Sequence, residues 1–235
     1  MKCLCVIPAH NEAATLPRLL AEIRREGYDA VVIDDASTDG TADAARAAGV
    51  PVLSLPVNLG VGGAVQAGFM YAARHAYDVV IQVDGDGQHD PSWLHAVVAP
   101  IQSGDADCVI GSRYLPESPD TGYRTPLARR LGMHFSTALL RIATGLNVRD
   151  TTSGFRALGR RAFLFAAARY PTDHPEAEAL LLFHQAGFRI AEVPVRMRSR
   201  KEGQSLFTVV RAVLYPVRVA VGFLGLIAKG PGTGR

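Results

Sequence analysis

Apolar and polar residues follow two different periods along the first hundred residues of the chain. Short apolar runs rich in β-branched residues recur between glycine, proline and aspartate, which predicts buried strands ended by turns. Between these runs apolar residues recur at helical spacing, as in the helix expected between Thr15 and Gly27. The predicted strands span residues 3–7, 30–33, 52–55, 79–83 and 108–110, and predicted helices span 41–48 and 63–76, with another starting at Pro91.

The alternation of strands and helices defines the fold class. Repeated βα units with apolar strands imply an α/β domain whose mainly parallel sheet is covered by helices on both faces. After residue 112 the alternation breaks at a loop that contains three prolines. A helix is then predicted over residues 127–144, and short strands return at 154–158 and 189–193. One domain spanning residues 1–205 accommodates all of these elements.

The last thirty residues, 206–235, follow a different pattern. Residues 219–228 form an unbroken apolar run, but a helix that spans a bilayer needs roughly 20 such residues. Arg211, Arg218 and Lys229 fall near one helical stripe, which is typical of an amphipathic helix lying on an anionic membrane surface. The alternative is a C-terminal helix packed on the core of its own domain, with or without a partner subunit in a homodimer.

Composition and charge narrow the classes of function. The chain has 235 residues, of which 48% are hydrophobic and 20% charged, and this suits a globular domain with a sizeable core. Its net charge is only +3, and its late basic residues stand beside an apolar helix without interleaved aromatic residues, so no nucleic-acid partner is expected. Three cysteines in apolar runs and no signal peptide predict free thiols in a cytoplasmic protein, peripheral at the inner face of the membrane.

The most informative polar residues follow the predicted strand at 79–83. Asp84 and Asp86 stand one residue apart in a glycine-rich turn at the carboxyl end of this strand, where open α/β sheets bind their ligands. With the amide oxygen of Gln88 they offer hard oxygen donors, which suit Mg²⁺ or Mn²⁺ better than zinc. For this loop taken alone, an acidic surface turn is the alternative.

Three further loops carry polar residues at predicted strand ends, namely residues 8–12, 34–41 and 58–64. In a parallel sheet all four loops project from one edge, so we expect them to converge on one crevice. Asp35 could hold a base edge or a ribose hydroxyl there, and Gly60 and Gly63 permit a ligand to approach a helix N-terminus closely. The glycine-rich loop lacks the Lys-Ser/Thr of a P-loop, and a simple helix-start turn is its alternative.

Taken together, these loops resemble those of family 2 glycosyltransferases of the GT-A fold, and most closely the branch of polyprenol-phosphate (dolichol-phosphate) mannosyl- and glucosyltransferases. The resemblance runs in order over about the first two hundred residues. It implies a nucleotide-diphospho-sugar donor of the GDP-mannose or UDP-glucose type, a divalent cation, and inversion at the anomeric carbon. The segments that carry it are VIPAHNE (6–12), IDDASTDGT (33–41), NLGVGGA (58–64), VDGDGQHDP (83–91), GSRY (111–114) and DTTSGFR (150–156).

The resemblance also assigns roles to individual residues. On the donor side it places Pro8, His10, Glu12 and Asp35 around the nucleotide. It places the Asp84, Asp86 and Gln88 side chains on the cation and the donor diphosphate. Asp150 is a further catalytic candidate whose role the sequence leaves unassigned.

On the acceptor side, the branch binds a lipid phosphate through arginines. Arg113 and one of Arg129 or Arg130 match those that follow the Gly-Ser-Arg segment, and Arg200 matches a late Arg-x-x-Gly-x-Ser motif. A solvated helix face is the alternative for each arginine. The branch often places a serine where Met133 and His134 stand here, and Ser136 lies nearby.

The chemistry of the acceptor decides whether a catalytic base is needed. A lipid phosphate is already ionised at neutral pH, whereas a sugar hydroxyl requires a carboxylate base. Glu176 and Glu178 are the candidates for that base, and acidic residues favoured by a helix N-terminus are the alternative interpretation.

Two other functions compete with transfer to a lipid phosphate. They are a soluble family 2 enzyme that acts on a hydroxyl, and a non-catalytic nucleotide-sugar-binding protein. A sugar-phosphate nucleotidyltransferase would need Arg and Lys in a glycine-rich loop after the first strand, where residues 8–12 stand instead.

Overall fold

The structure is a computed structural model that describes residues 1–119, 127–171, 175–198 and 220–225, without the side chains of residues 127–132 and 175. The long loop predicted before residue 127 therefore lies partly outside the described residues, as do residues 206–219 and 226–235 of the predicted C-terminal helix. The strands are β1 (Cys3–Ala9), β2 (Asp29–Asp34), β3 (Val52–Ser54), β4 (Val79–Gln82), β5 (Cys108–Ser112), β6 (Arg156–Gly159) and β7 (Ile190–Pro194). The helices are α1 (Leu16–Arg25), α2 (Thr41–Ala47), α3 (Gly60–Arg74), α4 (Leu94–Gln102), α5 (Leu127–Thr144), α6 (Arg160–Arg169) and α7 (Pro175–Gln185), with a 3₁₀ turn at Pro91–Trp93.

The strands form one mixed sheet in the order β3-β2-β1-β4-β6-β5-β7. All neighbouring strands pair in parallel except β6, which is antiparallel to both β4 and β5. The mainly parallel α/β sheet expected from the sequence is therefore confirmed. The strand expected at 154–158 is present from Arg156, and its reversed direction is a finding that apolar patterning does not supply.

Helices cover both faces of the sheet. Successive strand residues point to opposite sides, so each strand contributes apolar side chains to both layers. On β1, Cys5 and Ile7 pack with α1 and α4, while Leu4 and Val6 pack with α3 and α6. Each of these four side chains is almost completely buried. The alternation along β1 thus joins two core layers, and it holds the carboxyl ends of the central strands in fixed positions.

A third apolar cluster connects the C-terminal segment to the domain. Phe223 is fully buried among residues of β5, α5 and α7, including Leu140 and Leu180. Residues 220–225 are helical, and Val221 and Leu224 on this helix are 63% and 66% exposed. In this part of the segment, one face packs on the core of the domain and another presents apolar side chains outward.

Within the described ranges, no helix is long and apolar enough to cross a membrane. The apolar run at residues 219–228, from which the sequence argued against a spanning helix, is described only at residues 220–225. The division of the chain at residue 205 remains a prediction, because residues 199–219 lie outside the described part.

Helix α3 approaches β1 so closely that one of its positions must be glycine. A Cβ atom built on Gly68 would lie 2.1 Å from Cγ1 of Val6, which is itself fully buried. Neither partner can move without displacing a central strand or a helix. The absence of a side chain at Gly68 therefore sets the spacing between α3 and the sheet.

We expect Gly68→Ala to destabilise the protein by about 1–3 kcal/mol through overpacking, although alanine favours a helix by about 1 kcal/mol over glycine. Urea unfolding would measure the change. Gly40→Ala is the control, because a Cβ there meets nothing within 4 Å. Equal stability of the two variants would contradict this account of the α3–β1 contact.

Candidate active site

A cavity of about 400 Å³ opens at the carboxyl ends of β1, β2 and β4, beside the start of α3. Its volume falls within the usual range of small-ligand sites, about 300–1,000 Å³. All four predicted loops reach it, so their expected convergence on one crevice is confirmed. The predicted site residues in its wall are Pro8, His10, Glu12, Asp35, Gly60, Asp84 and Asp86.

Main-chain hydrogen bonds to β1 position the loops on either side of it. The N–H of Asp35 donates to the carbonyl of Ala9 at 2.8 Å, and the N–H of Gly85 donates to the carbonyl of Pro8 at 3.2 Å. These bonds continue the sheet pairing past the ends of β2 and β4. The loop with Asp35 and the loop with Asp84 are consequently held one strand apart from each other.

Asp35 connects the end of β2 to the start of α3. Its Oδ1 accepts the N–H of Leu59 at 2.7 Å, and its Oδ2 accepts the N–H of Gly60 at 2.9 Å. The residue is only 4% exposed. Both carboxylate oxygens therefore bind main-chain groups at the positive end of α3. The resemblance placed Asp35 around the nucleotide, and the geometry adds a structural role in shaping the cavity wall.

His10, in the loop of residues 8–12, is held by the main chain of Asp35. Its Nδ1 donates to the carbonyl of Asp35 at 2.8 Å, and its Nε2 faces the side-chain amide of Asn11 at 3.3 Å. The carbonyl of Asp35 also accepts a hydrogen bond from the amide of Asn58 at 3.2 Å. Three of the four loops are thus joined by polar contacts around one carbonyl group.

Residues 84–90, called the acidic loop below, contain a histidine that holds Asp84 in place. The N–H of Asp84 donates to Nδ1 of His89 at 3.0 Å, and Nε2 of the same ring lies 3.6 Å from Oδ2 of Asp84. Because Nδ1 accepts, the ring proton is on Nε2 and faces the carboxylate. The His89 ring is buried and stacks on Phe155 with centroids 4.9 Å apart. His89 therefore fixes both the backbone and the side chain of Asp84.

The oxygen atoms of this loop suit a hard divalent cation. Oδ1 of Asp86 accepts the N–H of Gln88 at 3.0 Å. Nε2 of Gln88 is directed to the carbonyl of Arg198 at 3.5 Å, so the oxygen of this amide is the atom available to a cation. Among the described residues, no three His, Cys, Asp or Glu side chains gather as a metal site. The predicted cation ligands Asp84, Asp86 and Gln88 offer carboxylate and amide oxygens, which are the donor atoms that Mg²⁺ and Mn²⁺ prefer.

Arg113 and Asp150 form a buried ion pair. Nε of Arg113 lies 2.7 Å from Oδ2 of Asp150, and Nη2 lies 2.7 Å from Oδ1, so the pair is bidentate. Asp150 is fully buried, and its N–H donates to Oε1 of Glu192 at 2.7 Å. The sequence left Asp150 without a role, and the structure places it where it fixes the orientation of the Arg113 guanidinium.

The loop that contains Asp150 also reaches the acidic loop. A Cβ built on Gly154 would lie 3.0 Å from Oδ2 of Asp84 and 3.0 Å from Nε2 of Gln82. Nε2 of Gln82 in turn donates to Oδ1 of Asp84 at 3.3 Å. The close packing at Gly154 brings residues 150–154 directly against a predicted ligand of the cation.

Other predicted site residues lie away from the cavity wall. Gly63 is buried inside α3, and Glu176 and Glu178 stand in the first turn of α7. Glu178 is buried beside the C-terminal helix, since a Cβ on Gly222 would lie within 2.1 Å of its Oε1. Ser136 is buried too, and its hydroxyl bonds to that of Thr151 at 2.6 Å.

The remaining predicted arginines fall outside what the structure describes. Arg129 and Arg130 lie on α5, but their side chains are outside the described part of the chain. Arg200 lies outside it altogether. Their roles in binding an acceptor stay predictions from the sequence.

Arg156 is a buried cation that sequence patterns did not single out. It is 3% exposed, and it donates from Nε to the carbonyl of Ser153 at 2.8 Å and from Nη2 to that of Thr151 at 3.1 Å. Its Nη1 has no hydrogen-bond partner among the described residues. The sequence signal that could have identified it is a charged residue at the start of an apolar strand, β6. Arg156 shapes the loop of residues 150–154 through its carbonyls.

The fold and the acidic loop at its carboxyl edge define a GT-A-type glycosyltransferase. A glucosyl-3-phosphoglycerate synthase from Mycobacterium tuberculosis, solved with Mn²⁺, UDP and glucosyl-3-phosphoglycerate, has the same fold, with a TM-score of 0.73 at 23% identity over 95% of this chain and 79% of that chain. The family model for glycosyl transferase family 2 matches residues 4–165. The chain therefore belongs to glycosyl transferase family 2, as the sequence motifs predicted.

Two relatives match most of the chain. An undecaprenyl-phosphate mannosyltransferase of Micrococcus luteus is 34% identical over 215 residues, which cover 87% of this chain and 87% of the relative. A polyprenol monophosphomannose synthase of Mycolicibacterium smegmatis is 30% identical over 216 residues, covering 86% of this chain and 79% of the relative. These relatives confirm the similarity to the polyprenol-phosphate branch that the motifs indicated.

We expect Asp35→Ala to lower both the stability of the fold and the affinity for UDP or GDP, each by about 1–3 kcal/mol, because two main-chain N–H groups lose their acceptor. Asp35→Asn keeps one acceptor oxygen and should lose less. Thermal unfolding and calorimetric titration would measure the two effects. The exposed Asp43→Ala is the control, and unchanged nucleotide affinity in Asp35→Ala would count against this role.

Proposed function

We propose that this protein transfers a sugar, with inversion, from a nucleotide-diphospho-sugar to a polyprenyl phosphate. The observation that carries the proposal is the contact at Gly154, where the loop that orients Arg113 lies against Asp84. A cation-binding loop for the donor and a basic group for an anionic acceptor are thereby neighbours. The names of the relatives from Micrococcus luteus and Mycolicibacterium smegmatis support the same acceptor class.

The donor nucleotide would occupy the cavity between β1, β2 and α3. The turn at residues 8–12 and the wall at Asp35 surround the nucleoside, and the start of α3 at Gly60 faces the diphosphate. Asp35 already binds the N–H groups of Leu59 and Gly60, so this helix start would favour the diphosphate through its dipole and not through these two N–H groups. The residues here thus bind and orient the leaving group before transfer.

The acidic loop would hold Mg²⁺ or Mn²⁺ through Asp84, Asp86 and the amide oxygen of Gln88. When bound, the cation supplies charge neutralisation of the departing diphosphate as a Lewis acid. His89 keeps Asp84 in place, and its buried ring limits the number of side-chain positions that Asp84 can adopt. The assay described below distinguishes Mg²⁺ from Mn²⁺, and GDP-mannose from UDP-glucose, as cation and donor.

The acceptor phosphate would be bound by Arg113, with Arg129, Arg130 and Arg200 as further candidates. The bidentate contact with Asp150 fixes the plane of the Arg113 guanidinium, which is the geometry that recognition of a phosphate requires. An ionised phosphate needs no general base. Glu176 and Glu178, the candidates for a base, would be required only for a hydroxyl acceptor.

We further propose that the enzyme works at a membrane surface, where its acceptor lies. The support is the exposed apolar pair Val221 and Leu224, next to the buried Phe223, together with the basic and apolar pattern of residues 206–235. Phe223 anchors the segment on the domain, so the outward face is presented in a fixed orientation. A helix of this kind binds through its buried apolar area and through attraction to anionic lipids.

The function is tested with a panel of nucleotide sugars, a short polyprenyl phosphate and Mg²⁺ or Mn²⁺. We expect transfer from one donor, and loss of about a hundredfold or more in rate for Asp86→Ala or in EDTA, since cation stabilisation is worth several kcal/mol. Product formation would be followed by mass spectrometry of the lipid.

Unfolding temperature and metal-free nucleotide binding are the controls for Asp86→Ala. Full activity in EDTA would refute the role of the cation. Transfer to a soluble hydroxyl and not to the lipid phosphate would refute the acceptor, and Glu176→Gln and Glu178→Gln would then be the variants to test. Nucleotide-sugar binding without turnover on any acceptor would indicate a binding protein.

We expect the double substitution Val221→Glu and Leu224→Glu to release the protein from anionic liposomes while the fold stays intact. Burial of a valine or leucine side chain contributes about 1.5–3 kcal/mol, and the added carboxylates are repelled by the anionic surface. Co-sedimentation with vesicles at low and high salt would measure binding. The half-exposed Leu53→Glu on the edge strand β3 is the control, and equal retention of both variants would contradict membrane contact through this helix.

A further inference from the structure

The chain that follows β7 is paired with the acidic loop. Met197 forms an antiparallel bridge with His89, and the N–H of Arg198 donates to the carbonyl of Gln88 at 2.8 Å. The amide of Gln88 reaches back to the carbonyl of Arg198 at 3.5 Å. The backbone of Gln88, a predicted cation ligand, is therefore held by a segment more than a hundred residues away in sequence.

The side chain of Arg198 extends this contact to two further elements. Its Nη1 lies 2.5 Å from Oε2 of Glu22 on α1, and its Nη2 lies 2.7 Å from Oδ1 of Asp90. The same Oδ1 accepts the N–H of Ser92 at 3.2 Å and its hydroxyl at 2.9 Å. One guanidinium thus joins α1, the end of the acidic loop and the 3₁₀ turn that follows it.

The environment makes these contacts stronger than those of a surface ion pair. The side chains of Glu22 and Asp90 are 19% and 6% exposed, against 30% for Arg198. Partial burial alone would lower the pKa of Arg198, but the hydrogen bond to Glu22 and the charge of Asp90 outweigh it and raise that pKa. Loss of the guanidinium would leave Asp90 as a buried carboxylate without its cation, which is strongly unfavourable.

We propose that Arg198 is a positioning residue that fixes Gln88 and the acidic loop for cation binding. The proposal rests on the proposed function, since it takes the acidic loop as the cation site. Outer contacts of this kind commonly change metal affinity by about 10–100-fold when they are removed.

The test uses the full chain and Mn²⁺ with UDP or GDP as probes. For Arg198→Ala we expect Mn²⁺-dependent nucleotide affinity to fall by about tenfold or more, with metal-free nucleotide affinity unchanged. Arg198→Lys should restore part of the loss, because it keeps a cation beside Asp90. In the Arg198→Ala background, Glu22→Gln should add little further loss, because the two side chains act through one contact.

Arg196→Ala is the matched control, since Arg196 is two residues earlier, exposed, and without a hydrogen bond or ion pair in the described structure. Equal Mn²⁺-dependent affinity in Arg198→Ala and the wild type would overturn the proposal. It would also be overturned if metal-free binding fell in parallel, because the effect would then be general loss of structure. A wild type without any cation-dependent nucleotide binding would instead refute the proposed function, and this proposal with it.

Discussion

The main-chain hydrogen bonding at the carboxyl end of β1 is the constraint on which the site depends. Ala9 and Pro8 each use a carbonyl to hold a neighbouring loop, one on the side of Asp35 and one on the side of Gly85. Adjacent strands lie about 4.8 Å apart, so the two loops stand about 10 Å from each other across β1. That width is set by backbone geometry alone. Side chains then decide what the opening binds.

The polar side chains around this opening serve mainly to fix one another. Asp35 uses both carboxylate oxygens on α3, Asp150 uses both on Arg113, and His89 uses both ring nitrogens on Asp84. Buried pairs of this kind contribute little net stability, because desolvation offsets their attraction. Their effect is to restrict orientation, which is what the proposed binding of two anionic substrates side by side requires.

The sequence predicts the scaffold of this site well and its internal contacts poorly. Apolar periodicity located the strands and most of the helices but gave no range for α6 or α7, and the rule for parallel strands correctly brought four loops together. The reversed direction of β6 has no counterpart in that periodicity, because an apolar strand reads the same in either direction. Asp35 contacts Leu59, Asp150 contacts Arg113 and His89 contacts Asp84, which are 24, 37 and five positions away in sequence, and only the folded chain brings these pairs together.

The place of β6 in the sheet has a consequence for how the protein is made. β4 can pair with β1 once residue 82 has been synthesised, but the strand that covers its other edge, β6, is complete only at Gly159. At about 5–20 residues per second the ribosome needs roughly 4–15 s to synthesise the intervening chain. During that interval the apolar strand Val79–Gln82 is an uncovered sheet edge, and such edges pair readily with other chains. A chain that folds before residue 159 is made would therefore expose the edge of the strand that leads into the acidic loop, and the topology makes early cover of this edge important for the yield of folded protein.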